Sequence, residues 1–165
     1  MMVTAVLGWL AVAPQTPDIH FVPTTTGIID AMLTLAHVTP DDVVYDLGSG
    51  DGAIVLRAAE KFGARGVGIE IDPQLVKTAT DRARKRGLAD KVTFLEGNLF
   101  DADISAATVV TLYLSASINR RLAPKLMREL RPGTRVVSHR FEMYGWPPEA
   151  QKSVGGRSIY LWTIR

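Results

Sequence analysis

Short apolar segments alternate with segments of helical periodicity along most of this chain. Apolar runs of about four to eight residues predict buried strands, whereas apolar residues three and four apart predict helices. Strands joined by such helices form βαβ units, so we expect an α/β fold, a doubly wound Rossmann-like and mostly parallel sheet with helices on both faces. The expected helices are 28–36, 53–62, 73–87 and 117–130, and the expected strands are 42–47, 66–71, 92–95, 107–114, 134–141 and 158–164.

The C-terminal segment, Ser158 to Ile164, has apolar side chains on both of its alternating faces. A strand at the edge of a sheet or open to solvent on one face would show polar positions. We therefore expect this strand to be paired on both edges in the interior of the sheet.

Length and composition fit a single domain of 165 residues. A net charge of +2 is too small to indicate a general polyanion binder. The chain has no cysteine, which excludes disulfides, thiolate nucleophiles and cysteine-ligated zinc. No cluster of histidines and carboxylates has the spacing of a metal site, so we expect no metal.

The N-terminus is apolar: residues 2–13 carry no charge. This run is shorter than the roughly 20 residues of a spanning helix. An arm packed on the domain, a hook for a membrane or partner, and a signal peptide ending near Ala13 remain open. We divide the chain into an arm, residues 1–18, and a domain, residues 19–165. We expect a cytoplasmic protein, with membrane association or export as alternatives.

A glycine-rich loop follows the first strand, with glycines at 48, 50 and 52. The dinucleotide fingerprint has the spacing G-x-G-x-x-G instead. Asp46 and Asp51 flank the loop, and two carboxylates repel a diphosphate but attract a ligand that carries an ammonium and a sulfonium. The loop residues that we expect to contact such a ligand are Asp46, Gly48, Ser49, Gly50 and Asp51.

Two further polar groups follow the next strands. Glu70 ends the second strand, beside Ile71, where a carboxylate can accept hydrogen bonds from ribose hydroxyls. Asn98 and Leu99 follow the third strand, where an amide and an apolar side chain can contact adenine. Each feature alone has a structural explanation as a turn or a solvated group. Together they predict a site for S-adenosylmethionine at the carboxyl ends of the strands.

These motifs resemble the class I S-adenosylmethionine-dependent methyltransferases. The stretches VVYDLGSGDG, GVGIEIDP, EGNLFDADISAATVVTLYLS, Asn119 with LAPKLMRELRPGTRVVSHRFEM, and FVPT are similar to the archaeal and bacterial broad-specificity protein-lysine methyltransferases and to the mitochondrial enzymes that act on an ATP synthase subunit. The resemblance runs from about Ile19 to the C-terminus. It implies methylation of protein lysines and a seven-strand sheet with an antiparallel C-terminal strand. Phe21 stands where many relatives have tyrosine, and Arg140 where many have an acidic residue.

Several residues are candidates for the reaction itself. No Asn-Pro-Pro-Tyr or Asp-Pro-Pro-Tyr follows the fourth strand, which disfavours planar amide-type nitrogens as acceptors. A lysine amine needs mainly positioning and the loss of a proton. Tyr113 and His139, with Glu142, end the fourth and fifth strands and are expected to line a lysine channel, with His139 either a general base or a structural group. Trp146 is expected at the pocket rim or in the core.

The segment Phe21, Val22, Pro23 and Thr24 precedes the first helix, where it would form a lid over the cofactor or an ordinary linker. The basic run 82–86 ends a helix, and we expect it to form a solvated face at the end of the sheet opposite the cofactor. We expect the substrate to be a protein with an accessible lysine, and we expect no nucleic-acid partner. We also expect a monomer. Membrane contact through residues 2–13 remains open. A methyltransferase of RNA or small molecules and a dinucleotide-dependent oxidoreductase are the rivals.

Overall fold

The computed structural model describes residues 24–165, and the apolar arm, Phe21, Val22 and Pro23 lie outside that range. Within it the chain forms four helices and seven strands. The helices are α1 (Thr26–Leu35), α2 (Ala53–Phe62), α3 (Pro73–Lys85) and α4 (Ala116–Glu129). The strands are β1 (Val43–Leu47), β2 (Arg65–Glu70), β3 (Val92–Glu96), β4 (Val109–Leu112), β5 (Arg135–His139), β6 (Ala150–Val154) and β7 (Arg157–Thr163).

The strands form one sheet in the order β3-β2-β1-β4-β5-β7-β6. The first five are parallel, and β7 is antiparallel to both of its neighbours, β5 and β6. The expected doubly wound, mostly parallel sheet and the interior position of β7 are both confirmed. Strand order reverses between β1 and β4, and ligands of open α/β sheets bind outside the carboxyl ends of the strands at such a point.

Helices cover both faces of the sheet, as the alternation predicted. Consecutive residues of a strand face opposite sides. Val109 packs in a cluster with Met32 of α1, whereas Val110 packs in a cluster with Leu122 of α4. Since α3 shares a third cluster with α2, helices α1 to α3 lie on one face and α4 on the other.

Strand β6 was not expected from the sequence. Its residues, AQKSV, include three exposed central positions and carry no apolar alternation. Among the strands of residues 24–165 it pairs only with β7, and it forms one edge of their sheet. The hairpin partner and not its own composition therefore selects the extended conformation.

Strand β5 is shorter than expected and ends at His139. Arg140 has φ 73°, in the left-handed region that interrupts an extended backbone. The chain therefore turns away from the sheet directly after His139, at the edge where the carboxyl ends of the parallel strands meet. In residues 24–165 no helix combines the length and apolarity needed to cross a membrane.

Candidate functional site

The glycine-rich loop, residues 48–52, connects β1 to α2 at the point where strand order reverses. Gly52 has φ 81°, and a Cβ there would lie 2.6 Å from Cζ of Phe94, so only glycine fits both the backbone and the space. The amides of Gly48 and Ser49 both donate to the carbonyl oxygen of Ile69 at 2.9 Å. The loop is thereby fixed to β2 before any ligand binds.

Glu70, the last residue of β2, holds the loop from the other side. Its Oε2 accepts from the amide of Gly50 at 2.8 Å, and its Oε1 accepts from the amides of Ile71 at 2.9 Å and Asp72 at 3.0 Å. A carboxylate has about four acceptor positions, so three are used. The carboxylate of Glu70 lies where a group that binds ribose hydroxyls is expected. It also joins β2 to the glycine-rich loop and accepts a hydrogen bond from the amide of Ile71.

Asp46 is 3% exposed and accepts a hydrogen bond from Oγ1 of Thr111 at 2.7 Å. Burial, with smaller contributions from the negative charges of Glu70 and Asp51, raises the pKa of its carboxyl to about 7 against the lowering effect of that hydrogen bond. The two charge contributions indicate a negative potential at this end of the sheet. A cation bound nearby would favour the ionised form of Asp46.

Asp51 is already paired with a cation. Its Oδ2 forms an ion pair with Arg82 of α3, whose Nη1 also donates to the carbonyl oxygen of Asp51 at 2.9 Å. The prediction that the whole run 82–86 faces solvent away from the cofactor loop is wrong for Arg82. A helical side chain leans toward the N-terminus of its helix, and arginine is long enough to span the remaining distance. Sequence reasoning missed this residue because no local signal connects positions 31 apart.

The other charges of the basic run fit the expectation. Arg84 pairs with Asp81 and Arg86 with Glu60, and these four side chains are all substantially exposed. In these exposed ion pairs the basic and acidic side chains neutralise each other's charge on a solvated surface.

Ser49 places a hydroxyl inside the fold. It is 6% exposed, and its Oγ has no hydrogen-bond partner among the described residues. Gly68 on β2 leaves the space that this hydroxyl occupies, since a Cβ there would lie 2.6 Å from Oγ of Ser49. The side chain is thus directed against β2, and the backbone is the part of Ser49 that faces the loop.

Asn98 lies beyond the end of β3, two residues past Glu96, which is the register partner of Glu70. Its Oδ1 accepts from the amide of Phe100 at 2.9 Å, so this amide side chain forms a turn. Leu99 is half-buried against the α4 side of the core. The structure therefore places both residues at the expected edge, with Asn98 also serving a local structural role.

Thr24 is the first described residue and is half-buried two positions before α1. The rest of the expected lid lies outside the described residues. The lid therefore remains a prediction.

Tyr113 and His139 lie side by side at the ends of β4 and β5. Their ring centroids are 4.2 Å apart, with the planes tilted by 41°. His139 is 1% exposed, and among the described residues neither ring nitrogen has a partner. Burial, with the positive charges of Arg157 and Arg140, lowers its pKa to about 4. The imidazole is therefore neutral at physiological pH.

The turn after β5 is held by a buried network. The carbonyl oxygen of Phe141 accepts from Oγ of Ser138 at 2.7 Å and from Nδ2 of Asn119 at 3.2 Å. The amide of Arg140 donates to the carbonyl oxygen of Ser158 at 2.7 Å. Three hydrogen bonds, with partners in β5, α4 and β7, thus fix the backbone that follows His139.

A cleft of roughly 520 Å³ opens beside this turn. Trp146 lies both at its rim and against the core, because its carbonyl oxygen accepts from Nε1 of Trp162 at 2.8 Å. The lining comes from the start of α4 and the loop between β5 and β6: Ala116, Arg120, Glu142, Met143, Tyr144, Gly145, Trp146, Pro147 and Pro148.

Comparison with protein families places these features in a known group. The model of the ANTKMT methyltransferase domain matches residues 46–150. A protein-lysine N-methyltransferase of Saccharolobus islandicus is 44% identical over 153 residues, which cover 90% of this chain and 95% of that protein. The adenine nucleotide translocase lysine N-methyltransferase of Mus musculus is 32% identical over 92% of this chain, which spans 66% of its length.

Solved structures agree on the fold. An RNA methyltransferase from Salinibacter ruber in complex with S-adenosyl-L-homocysteine is 57% identical, has a TM-score of 0.86, and is matched over 87% of this chain and 94% of that chain. A SAM-dependent methyltransferase from Geobacter sulfurreducens, also with S-adenosyl-L-homocysteine, is 28% identical with a TM-score of 0.63 over 70% of this chain and 48% of that chain.

Proposed function

Because the chain belongs to the family of the ANTKMT methyltransferase domain, we propose that it transfers methyl groups from S-adenosylmethionine to the side-chain amines of protein lysines. The observation that carries this proposal is the match to the Saccharolobus islandicus protein-lysine N-methyltransferase. It extends over 90% of the chain and so includes the elements beyond the cofactor loop.

The charges at the strand ends fit the cofactor. S-adenosylmethionine supplies an electrophilic methyl group on a sulfonium, together with an ammonium group. Asp46 and Glu70 are buried carboxylates beside the glycine-rich loop, so this end of the sheet carries an excess of negative charge, which adds to the effect of burial in raising the pKa of Asp46. A cation relieves that excess, whereas the diphosphate of a dinucleotide adds to it. This argument disfavours the oxidoreductase alternative.

The other expected cofactor contacts keep roles that their positions allow. We propose that Gly48, Ser49 and Gly50 offer backbone to the cofactor, and that Glu70 uses its remaining acceptor position for a ribose hydroxyl. Leu99 presents an apolar surface near the same edge. Asp51 acts on the loop through its pairing with Arg82.

Tyr113 and His139 form an uncharged wall for the acceptor amine. No protonated imidazole opposes the lysine there, because His139 has its pKa lowered to about 4. A base of that strength is poorly matched to a lysine whose ordinary pKa is about 10.4. We propose that these side chains position the deprotonated amine and exclude water, and that the proton is lost to solvent before transfer.

RNA is the second candidate acceptor, because the RNA methyltransferase from Salinibacter ruber is 57% identical to this chain. The surface charges favour it less. Arg82, Arg84 and Arg86 are each paired with an acidic residue of this chain. Phosphate binding would require these pairs to be broken or shared.

Methyl transfer to the two acceptors can be compared directly. The purified chain is incubated with radiolabelled S-adenosylmethionine and either a nucleic-acid-free protein extract or total RNA from the same cells. We expect label in protein, located on lysine by mass spectrometry, and about tenfold less label with the Glu70→Ala variant at a cofactor concentration below the dissociation constant. Label that ribonuclease removes, with none in protein, would assign RNA as the acceptor.

Membrane contact through residues 2–13 and a monomeric state are further proposals. Co-sedimentation of the full chain with phosphatidylserine vesicles tests the first, with a chain lacking residues 2–13 as the control. Sedimentation equilibrium tests the second.

A further inference from the structure

The cleft between α4 and the loop from β5 to β6 has no role in cofactor binding as described above. Resting on the proposed function, we propose that it binds the polypeptide segment beside the acceptor lysine, with Tyr144 as an aromatic contact and Glu142 as the partner of a basic side chain in that segment.

The position of the cleft relative to His139 supports peptide binding. Glu142 is only three residues beyond His139, and the network around Phe141 fixes the intervening turn. The lining of the cleft therefore begins three residues after the strand end that carries His139. A chain whose lysine reaches that strand end would pass along the cleft with its neighbouring residues.

The lining has the composition of a protein-binding surface. Tyr144 is 75% exposed, and the guanidinium of Arg120 lies 4.5 Å from its ring centroid, which holds the ring in place. Pro147 and Pro148 form part of the wall, and proline has no amide donor that would need a partner. Exposed, rigidly held aromatic side chains are enriched where proteins bind other proteins.

Charge is the third support. Glu142 is exposed, and its carboxylate has no hydrogen bond or ion pair with any other described residue. With Arg120 it gives the cleft one negative and one positive group, and the positive group already stacks on Tyr144. A polyphosphate backbone is repelled by Glu142, whereas a lysine or arginine gains a partner in Glu142.

Peptide binding tests the inference without relying on turnover. Fluorescein-labelled peptides of about ten residues carry one central lysine and, two positions away, an arginine, a glutamine or a glutamate. Their dissociation constants are measured by fluorescence anisotropy with S-adenosylhomocysteine present. We expect the arginine peptide to bind about three- to tenfold tighter than the glutamate peptide, a ratio that corresponds to roughly 0.7–1.4 kcal/mol.

Three variants separate the contributions of Glu142 and Tyr144 to peptide binding. Glu142→Gln is expected to remove the preference for arginine, and Glu142→Lys to reverse it. Tyr144→Ser is expected to raise the dissociation constants of all three peptides about fivefold or more, because truncation of an aromatic contact weakens binding. Met127→Ser is the matched control, because Met127 is a 51% exposed side chain on α4 that does not line the cleft.

Equal affinities for the three peptides, or unchanged affinities in both Glu142 and Tyr144 variants, would overturn the inference. So would displacement of the peptide by single-stranded RNA at equal affinity, or a wild-type dimer that Tyr144→Ser dissociates. The proposed function fails separately, if wild type labels no protein lysine at all.

Discussion

Arg82 of α3 binds Asp51 twice, through an ion pair with the carboxylate and through a hydrogen bond of 2.9 Å from Nη1 to the carbonyl oxygen. Asp51 also accepts at Oδ1 from the amide of Ala53, the first residue of α2. The guanidinium of Arg82 thus connects α3 to the end of the glycine-rich loop and to the start of α2. Arg82 is therefore a positioning residue for the loop.

We predict that Arg82→Ala raises the dissociation constant for S-adenosylmethionine about five- to tenfold, because the loop loses a charge-assisted contact worth roughly 1.5–3 kcal/mol in favourable cases. Titration calorimetry measures the change, and Arg82→Lys is expected to restore part of it. Arg84→Ala is the control, since Arg84 is exposed and pairs only with Asp81. Tighter binding by Arg82→Ala would show that the uncompensated charge of Asp51 outweighs loop order.

Glu70→Ala is expected to weaken cofactor binding about tenfold or more and also to lower the melting temperature. The second effect follows from the three backbone amides that Glu70 accepts, which would lose their partner inside the fold. Calorimetry and thermal melting followed by circular dichroism measure the two effects. Unchanged affinity in a folded variant would disprove the ribose assignment.

The Asp46 carboxyl gives a pH dependence with a defined sign. Its pKa is about 7 in the folded chain and ordinarily 3.8, so the folded state holds the extra proton between these values. Stability therefore falls as pH rises through this window, and Asp46→Asn should remove that decline. Urea unfolding between pH 4 and pH 7 checks it. Asp81→Asn, on the exposed surface, should leave the slope in this window unchanged.

Cofactor binding should respond to the same group in the opposite direction. A bound cation favours ionised Asp46, so affinity is expected to rise with pH up to about 7 and binding to release a proton. Calorimetry in buffers of different ionisation enthalpy counts that proton. No release at pH 6 would show that Asp46 does not sense the ligand's charge.

The rate of methyl transfer is expected to climb with pH through about 8 to 9, toward the lysine pKa near 10.4, without an inflection near 6.5. The reason is that His139 stays neutral, with its pKa lowered to about 4. His139→Gln should reduce the rate by less than about tenfold, whereas loss of a general base costs on the order of 10²–10⁴-fold. A loss above a hundredfold with unchanged cofactor affinity would make His139 the base.

Deletion of residues 2–13 should leave methyl transfer to a soluble protein largely intact, because the family match begins only at residue 46. Rate measurements on the truncated and full chains compare the two. Loss of activity in a folded truncated chain would place the arm in the substrate channel or the lid.

Local pattern alone determined the fold class, the glycine-rich loop and the interior position of β7. These depend on periodicity, on left-handed glycines and on apolar side chains on both faces of a strand, all of which are properties of neighbouring residues. The same reasoning located Asp46, Glu70, Tyr113 and His139 at one edge, because parallel strands bring their carboxyl ends together.

Only the tertiary structure decided what those side chains contact. It formed β6 from a polar segment by pairing it with β7, and it brought Arg82 to Asp51 across 31 positions of sequence. It also buried His139 without a partner among the described residues, and burial keeps its imidazole neutral at physiological pH. Contacts between distant positions, and the pKa values that burial sets, depend on how elements pack, and no local pattern encodes that packing.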